Sequence, residues 1–336
     1  IKNIRYTWIH NSSRRRIAEV KMFDFEKPIM EIRLKIEELK KISAESGMDL
    51  QQEIENFEQQ AKDYQKEIYE NLKPSEKLQI ARHANRPNFL DYMNLMCTDF
   101  IELHGDREGA DDRAIIGGIG KIGTFNAVFV GTQKGSTTRE NLEYNFGMPQ
   151  PQGYRKAMRL FNHANKFNLP IITLIDTPGA YPGITAEQTG QGIAIAQNLR
   201  DMAKLDVPVI AVITGEGCSG GALGLAVAND VKMLEYAYYT VISPEGCASI
   251  LFRDATQAAA AADALKITAS DLLELGIIDS SVKEPMGGAH NDKEEMAKTL
   301  KKELISTLRK LTKLSPEKLR KQRYAKYRKM GCFLHE

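Results

Sequence analysis

Nowhere does this 336-residue chain carry an apolar run approaching the roughly 18 residues that a membrane-spanning helix needs. An excess of either charge is also lacking. The 46 Lys and Arg against 44 Asp and Glu leave a formal net charge of +2, which gives no strong pull toward nucleic acid or an acidic membrane surface. Cysteine is scarce: Cys97, Cys218, Cys247 and Cys332 contain no Cys-x-x-Cys pair, which argues against a zinc ribbon and for a reducing compartment. No Gly-x4-Gly-Lys-Ser/Thr is present, and Gly131-Thr-Gln-Lys-Gly-Ser-Thr137 has the wrong spacing for a P-loop, so Asp176-Thr-Pro-Gly179 is not read as a GTPase motif. At 42% hydrophobic and 27% charged, the composition is that of a soluble globular protein long enough for one large domain and an appendage.

The densest information lies between Pro170 and Ala226. The apolar runs 171–175 and 207–213 show no polar alternation and are flanked by helical patterns, as expected of parallel strands covered on both faces. Each leads into a glycine-rich segment, Asp176-Thr-Pro-Gly-Ala-Tyr-Pro-Gly183 and Gly215-Glu-Gly-Cys-Ser-Gly-Gly-Ala222, with a helix over about 185–203 between them. Ligand sites in such sheets lie beyond the carboxyl ends of the strands. The second segment runs into a small-residue helix whose first N–H groups lack an intrahelical partner, a ready oxyanion or anion site. Glycine at 220 and 221 is read as sparing a substrate oxygen a clash with Cβ.

Elsewhere the pattern is helical from Pro28. Ile29, Ile32, Ile36, Leu39 and Ile42, then Leu50, Ile54, Phe57, Ala61, Tyr64, Ile68 and Leu72, step by three and four on either side of Ser46-Gly47, which predicts an antiparallel helical hairpin. Asp49 and Gln52 have capping-box spacing. The pattern breaks at 73–87. A helix is expected over 88–103, strands over 114–121, 127–133 and 233–242, and a crossover helix over 153–166. Helices are also expected from Ser243, over 256–265 and after the cap at Thr268, with a last strand at 277–279. The lysine- and arginine-rich tail, 291–328, reads as a surface or partner helix with Leu300, Leu304, Leu308 and Leu311 on one face. The layout is thus an extension at 1–21, a helical hairpin at 22–85, an α/β domain at 86–288 and a helical tail at 289–336. The extension is either a transit remnant, being arginine-rich and acid-poor, or sequence upstream of a start at Met22. The second is preferred on the family resemblance given below, by which Met22-Phe-Asp-Phe-Glu-Lys-Pro28 looks like a family N-terminus.

Two rival chemistries are weaker. Gly215-x-Gly-x-x-Gly220 matches the dinucleotide fingerprint, but too few residues separate Gly221 from the next apolar stretch at Val231 for a crossover helix. Ser219 invites comparison with a nucleophile elbow, with His83, His104 or His163 as base, yet sequence brings none of them to it.

Four long motifs, Asn145-Phe-Gly-Met-Pro149, Asp176–Gly183, Gly215–Ala222 and Val241-Ile-Ser-Pro-Glu-Gly-Cys-Ala-Ser249, occur in an order that closely resembles the alpha subunit of the bacterial-type acetyl-CoA carboxylase carboxyltransferase. The resemblance runs from about Met22 to the C-terminal region. It implies a crotonase-like β-β-α superhelical core at 86–288. It also implies transfer of a carboxyl group from carboxybiotin on biotin carboxyl carrier protein to acetyl-CoA, giving malonyl-CoA, the first committed step of fatty acid biosynthesis. Gly220 and Gly221 would face the biotin ureido oxygen, with Gly179, Ala180, Tyr181, Pro182, Gly183, Gly217, Cys218 and Ser219 around it. Lys134, Arg155 and Lys156, and less so Arg139, are candidates to meet carboxybiotin or coenzyme A phosphates. A beta subunit, in an assembly of two alpha and two beta chains, would bring the zinc ribbon, the thioester's oxyanion hole and most of the coenzyme A site; no metal is expected in this chain. Biotin carboxylase would use the ATP. The setting would be cytoplasmic, or plastid if 1–21 is a transit remnant. The bacterial relatives carry glycine where this chain has Cys218, whose thiol, if exposed beside helix N–H groups, is expected to be acidified. A self-sufficient crotonase-like acyl-CoA hydratase or decarboxylase and a non-catalytic assembly scaffold are the alternatives.

Overall fold

The computed structural model describes residues 23–331; the extension at 1–21 and Cys332 lie outside the described residues. The chain divides into two compact units, one through Glu70 and one from Asn71. The boundary therefore falls earlier than position 85, and helix Pro74–Ala81 belongs with the second unit.

The first unit contains the expected hairpin, helices Lys27–Ser46 and Gln51–Glu70. Gly47 ends the first helix at φ 67°, a left-handed conformation that glycine adopts without a Cβ penalty. Ile29, Ile36, Ile54 and Ala61 are buried, and Lys40 bridges to Glu58 across the pair at 2.7 Å. No capping box forms at Asp49. Its carboxylate accepts from the N–H of Gln51, while the Gln52 side chain turns to Asn56.

The second unit is built on one eight-stranded mixed sheet: β1 Thr98–Glu102, β2 Ile115–Ile122, β3 Phe125–Thr132, β4 Ile171–Thr177, β5 Val209–Cys218, β6 Asp230–Leu234, β7 Tyr238–Thr240 and β8 Ser280–Val282. The spatial order is β1-β2-β3-β4-β5-β6-β8, with β7 alongside the end of β5. The β1, β2 and β3 pairings are antiparallel and the others parallel. The apolar runs lie side by side at the centre, Ile171 opposite Val209 through Ile175 opposite Ile213, and every residue of β4 and β5 is buried. Helices Pro151–Lys166 and Gln191–Met202 cross back between successive parallel strands.

Several elements differ from the sequence reading. The helix expected over 88–103 stops at Met96, and Thr98–Glu102 becomes an edge strand whose Asp99, at φ 54°, marks a register shift against β2. The helix expected over 185–203 is interrupted at Gly190, φ 89°, giving Ile184–Gln188 and Gln191–Met202. A short helix, Thr138–Glu143, starts on a reciprocal cap between Thr137 and Glu140. Gly215–Cys218 is strand rather than loop, because Glu216, Gly217 and Cys218 pair with Tyr238, Tyr239 and Thr240. The segment 233–242 splits between β6 and β7, and the last strand lies at 280–282 instead of 277–279.

The tail forms two helices, Lys293–Leu311 and Pro316–Lys329. It is not a surface appendage: Met296, Leu300, Leu304 and Leu308 are fully buried in the same core as the sheet. Arg323, buried to 1% exposure, donates to the carbonyls of Met202, Ala203, Leu205 and Val207. A guanidinium there satisfies the orphan carbonyls where helix Gln191–Met202 ends.

Candidate functional site

β5 ends at Cys218, and Ser219, at φ 58°, turns the chain into the five-residue helix Ser219–Leu223. The N–H groups of Gly220 and Gly221 lie in its first turn and have no partner within the helix. The two glycines differ in their surroundings. A Cβ at Gly221 would stand 2.6 Å from the Gly179 carbonyl carbon and closer still to the Ala180 nitrogen, whereas a Cβ at Gly220 would meet nothing nearer than Ile195 at 3.7 Å. Gly221 therefore has a packing reason to be small, because another backbone lies against it. Gly220 is the one where a Cβ would find only ordinary contact.

Gly179, at φ 139°, is held by Thr177, whose hydroxyl donates to the Gly179 carbonyl at 2.9 Å and accepts from its N–H at 3.1 Å. The Tyr181 N–H donates to Pro149 O at 2.9 Å, and Gln191 Nε2 donates to Pro149 O and Tyr181 O at 2.8 and 3.1 Å. Motifs 145–149, 176–183 and 215–222 are thus one physical cluster. The fourth begins with Val241, which with Ser219, Gly220, Leu223, Tyr239 and Ile267 lines a mostly apolar cavity of about 420 Å³.

A second, polar cavity of about 350 Å³ is lined by Arg82, Arg86, Lys134, Phe146, Asp176 and Glu216 among others. Lys134 Nζ donates to Asp176 Oδ1 at 2.7 Å and to Glu216 Oε2 at 2.6 Å, and the Glu216 N–H donates to Asp176 Oδ1 at 2.8 Å. Arg82 Nε lies 2.5 Å from Glu216 Oε1, and the Tyr238 hydroxyl donates to the same carboxylate. Burial works against the charge on Glu216, but Lys134 and Arg82 overcome it and hold its carboxyl down at about 2. The same pairing raises Lys134 against its own burial. Behind them Arg86 is a buried bidentate partner of Glu284 at 2.9 and 2.5 Å. These cations are neutralised by carboxylates, so the network braces the ends of β4 and β5 rather than offering a free positive site.

The other charged candidates are elsewhere. Lys156, 1% exposed, gives its protons to Asp111 Oδ1 at 2.5 Å and Asp112 O at 2.8 Å, so its ammonium is occupied inside the fold. Arg155 pairs with Asp106 and Glu108 at 3.1 and 3.0 Å and lines a separate polar cavity with Arg159 and His163. Arg139 is exposed on helix Thr138–Glu143. Cys218 reverses its expectation: it is 2% exposed, and burial together with the nearby Glu216 carboxylate pushes the thiol up to about 11. Gly217 is a sheet residue packed against Ile213 and Tyr239. Ser219 is exposed, but no His, Asp or Glu lines its cavity; His104 lies between Glu102 and Asp111, and His163 bonds Arg159 O. His83 lines the polar cavity instead, stacked on His290, so none of the three candidate bases lines the cavity of Ser219. Among the described residues no group of His, Cys, Asp and Glu has the makings of a metal site.

Sequence reasoning missed Asp176 and Glu216 as partners of Lys134, and also Arg82, Tyr154 and Asn198. A signal for the first two was present, since a carboxylate at the end of a buried, mostly apolar strand must find a cation or donors.

Solved structures with this fold include transcarboxylase 12S (20% identical, TM-score 0.51, covering 65% of this chain and 41% of that one). The beta subunit of P. aeruginosa geranyl-CoA carboxylase matches at 14% identity, TM-score 0.53, covering 73% and 46%. A Pseudomonas malonate decarboxylase hetero-tetramer in complex with coenzyme A matches at 13%, TM-score 0.53, covering 64% and 86%. The architecture is thus the crotonase-like one of carboxyltransferases. Within that class the chain belongs to the acetyl co-enzyme A carboxylase carboxyltransferase-like family, which it matches over residues 22–331. It is 51% identical over 313 residues to the acetyl-coenzyme A carboxylase carboxyl transferase subunit alpha of Prochlorococcus marinus strain NATL1A (93% of this chain, 95% of that one). To the same subunit of Acaryochloris marina it is 50% identical over 315 residues (94% and 97%).

Proposed function

We propose that this carboxyltransferase moves a carboxyl group from carboxybiotin, carried on biotin carboxyl carrier protein, to acetyl-CoA to form malonyl-CoA, and that it works only with a beta subunit. The observation that carries the site is the glycine turn at the lip of the apolar cavity. The cavity suits the apolar body of a biotin group, and the Gly220 and Gly221 N–H groups suit a ureido oxygen that becomes negative as the carboxyl group departs. Preorganised backbone donors of this kind lower such a barrier without themselves reorganising. Carboxybiotin supplies the carboxyl group; this chain's residues bind and orient it. The Lys134–Asp176–Glu216 bracing keeps the strand ends that carry both loops in place. One such turn serves one oxyanion, so the thioester oxygen of acetyl-CoA needs a second set of donors, assigned here to the beta subunit along with the zinc. The subunit naming of the relatives supports a partner chain; two alpha and two beta chains, with biotin carboxylase charging the carrier, is the assembly proposed. Cytoplasm is the proposed setting, with a plastid as alternative.

The test mixes the purified chain with a relative's beta subunit, acetyl-CoA and carboxybiotin, and then omits each component in turn. Malonyl-CoA should form only with all present. Full-rate transfer by the chain alone, or hydration or decarboxylation of an acyl-CoA without any partner, would overturn the proposal.

A further inference from the structure

Helix Ser219–Leu223 is too short to support itself. A turn of helix is costly to nucleate, and two of its residues are glycines, whose dihedrals no Cβ restrains. A carbonyl within it and one just past its end are instead gripped by side chains from the two crossover helices. Tyr154, fully buried on helix Pro151–Lys166, donates its hydroxyl to Gly221 O at 3.0 Å, and its ring lies flush against Gly224, where a Cβ would come within 3.1 Å. Asn198, buried on helix Gln191–Met202, donates Nδ2 to Gly224 O at 3.2 Å and to the carbonyl of Tyr154 itself at 3.1 Å. Tyrosine, asparagine and glycine turn thus form a closed triangle of hydrogen bonds.

We infer that Tyr154, braced by Asn198, is a positioning residue for the carboxyl transfer: its hydroxyl pins the Gly221 carbonyl and so the Gly221–Ala222 peptide plane, and through that anchored turn it fixes the place of the preceding Gly220 and Gly221 N–H donors. The inference rests on the reading of those N–H groups as donors to the ureido oxygen. Its physical basis is that donor geometry matters steeply, a misplacement of about 1 Å costing about 100-fold. A packing role alone would be met by the ring without the hydroxyl.

The experiment is Tyr154→Phe in the complete alpha–beta assembly, with Gly220→Val measured beside it. For Tyr154→Phe we expect kcat for malonyl-CoA formation to fall about tenfold, a fraction of the loss of a whole oxyanion donor. KM for acetyl-CoA, sedimentation and melting temperature should stay close to those of the unaltered assembly. If the amount of assembly falls but kcat per assembled complex does not, the hydroxyl is structural and the inference is wrong. Should Tyr154→Phe fail to assemble, Asn198→Asp carries the same kcat-against-KM test, and failure of both to assemble counts against positioning. Gly220→Val slow with Tyr154→Phe unaffected sinks the latch alone. Gly220→Val unaffected sinks the donor reading on which it stands.

Discussion

At Gly221 an added methyl would drive into the Gly179–Ala180 backbone, whereas at Gly220 it would find ordinary contact distance. Gly221→Ala should therefore lower the melting temperature, overpacking costing about 1–3 kcal/mol. Gly220→Val should fold and assemble yet lose about 10²-fold or more in turnover, the cost of a blocked oxyanion donor. Calorimetry and malonyl-CoA formation, measured on both variants, check the pair; the reverse pattern would exchange the two roles. Cys218 yields a second expectation at this scale. With the thiol buried and pushed up to about 11, it should resist alkylation near pH 8 in the folded chain and react on unfolding, as read by mass spectrometry; rapid modification of folded protein would refute it. A cysteine inside a glycine-rich stretch looks reactive in sequence only because the pairing of Cys218 with Thr240 is not visible there.

At the scale of elements, the carboxyl ends of β4 and β5 meet Lys134, just past β3, in an ion-pair cluster with little access to water. Lys134→Met would leave Asp176 and Glu216 without their shared cation, a loss of about 3–5 kcal/mol for a broken buried pair. The Glu216 carboxyl is depressed to about 2 from 4.5, so its contribution to stability is present above the unfolded value and drains away as pH falls from about 5 toward 2. The destabilisation caused by Lys134→Met should accordingly shrink over that window in a pH series of melts, and a constant difference from pH 7 to pH 3 would contradict the assignment. β4, β5 and the crossover helix at 151–166 were legible because unbroken apolar runs and a 3.6-residue period announce them. The extension of β5 to Cys218 was not, since its partner strand lies some twenty residues on and nothing local in Gly-Glu-Gly-Cys favours a strand. The helix expected through 88–103 failed at Cys97 for a similar reason: the edge of β2 claims Thr98–Glu102.

For the molecule as a whole, the charged tail misled because lysines and arginines cover one side of a helix whose leucines complete the core. Leu304→Ala should cost about 2–5 kcal/mol, and a chain ending before Lys293 should not fold cooperatively; a soluble, sharply melting truncation would restore the tail to the surface. Conversely, Val241, Ile250 and Leu251 stay exposed at 83%, 71% and 65%. Ile250→Asp should leave the melting of the lone chain unchanged but weaken assembly with a beta subunit in sedimentation. The four motifs spoke for the family, and the fold shows that three of them interlock. The tight approach of Gly221 to Gly179 and Ala180 then bears on inheritance: two segments some forty residues apart are tied into a single unit of exchange. A chimera that takes only one of them from a distant crotonase-like protein should come out insoluble, while one that takes both together should fold.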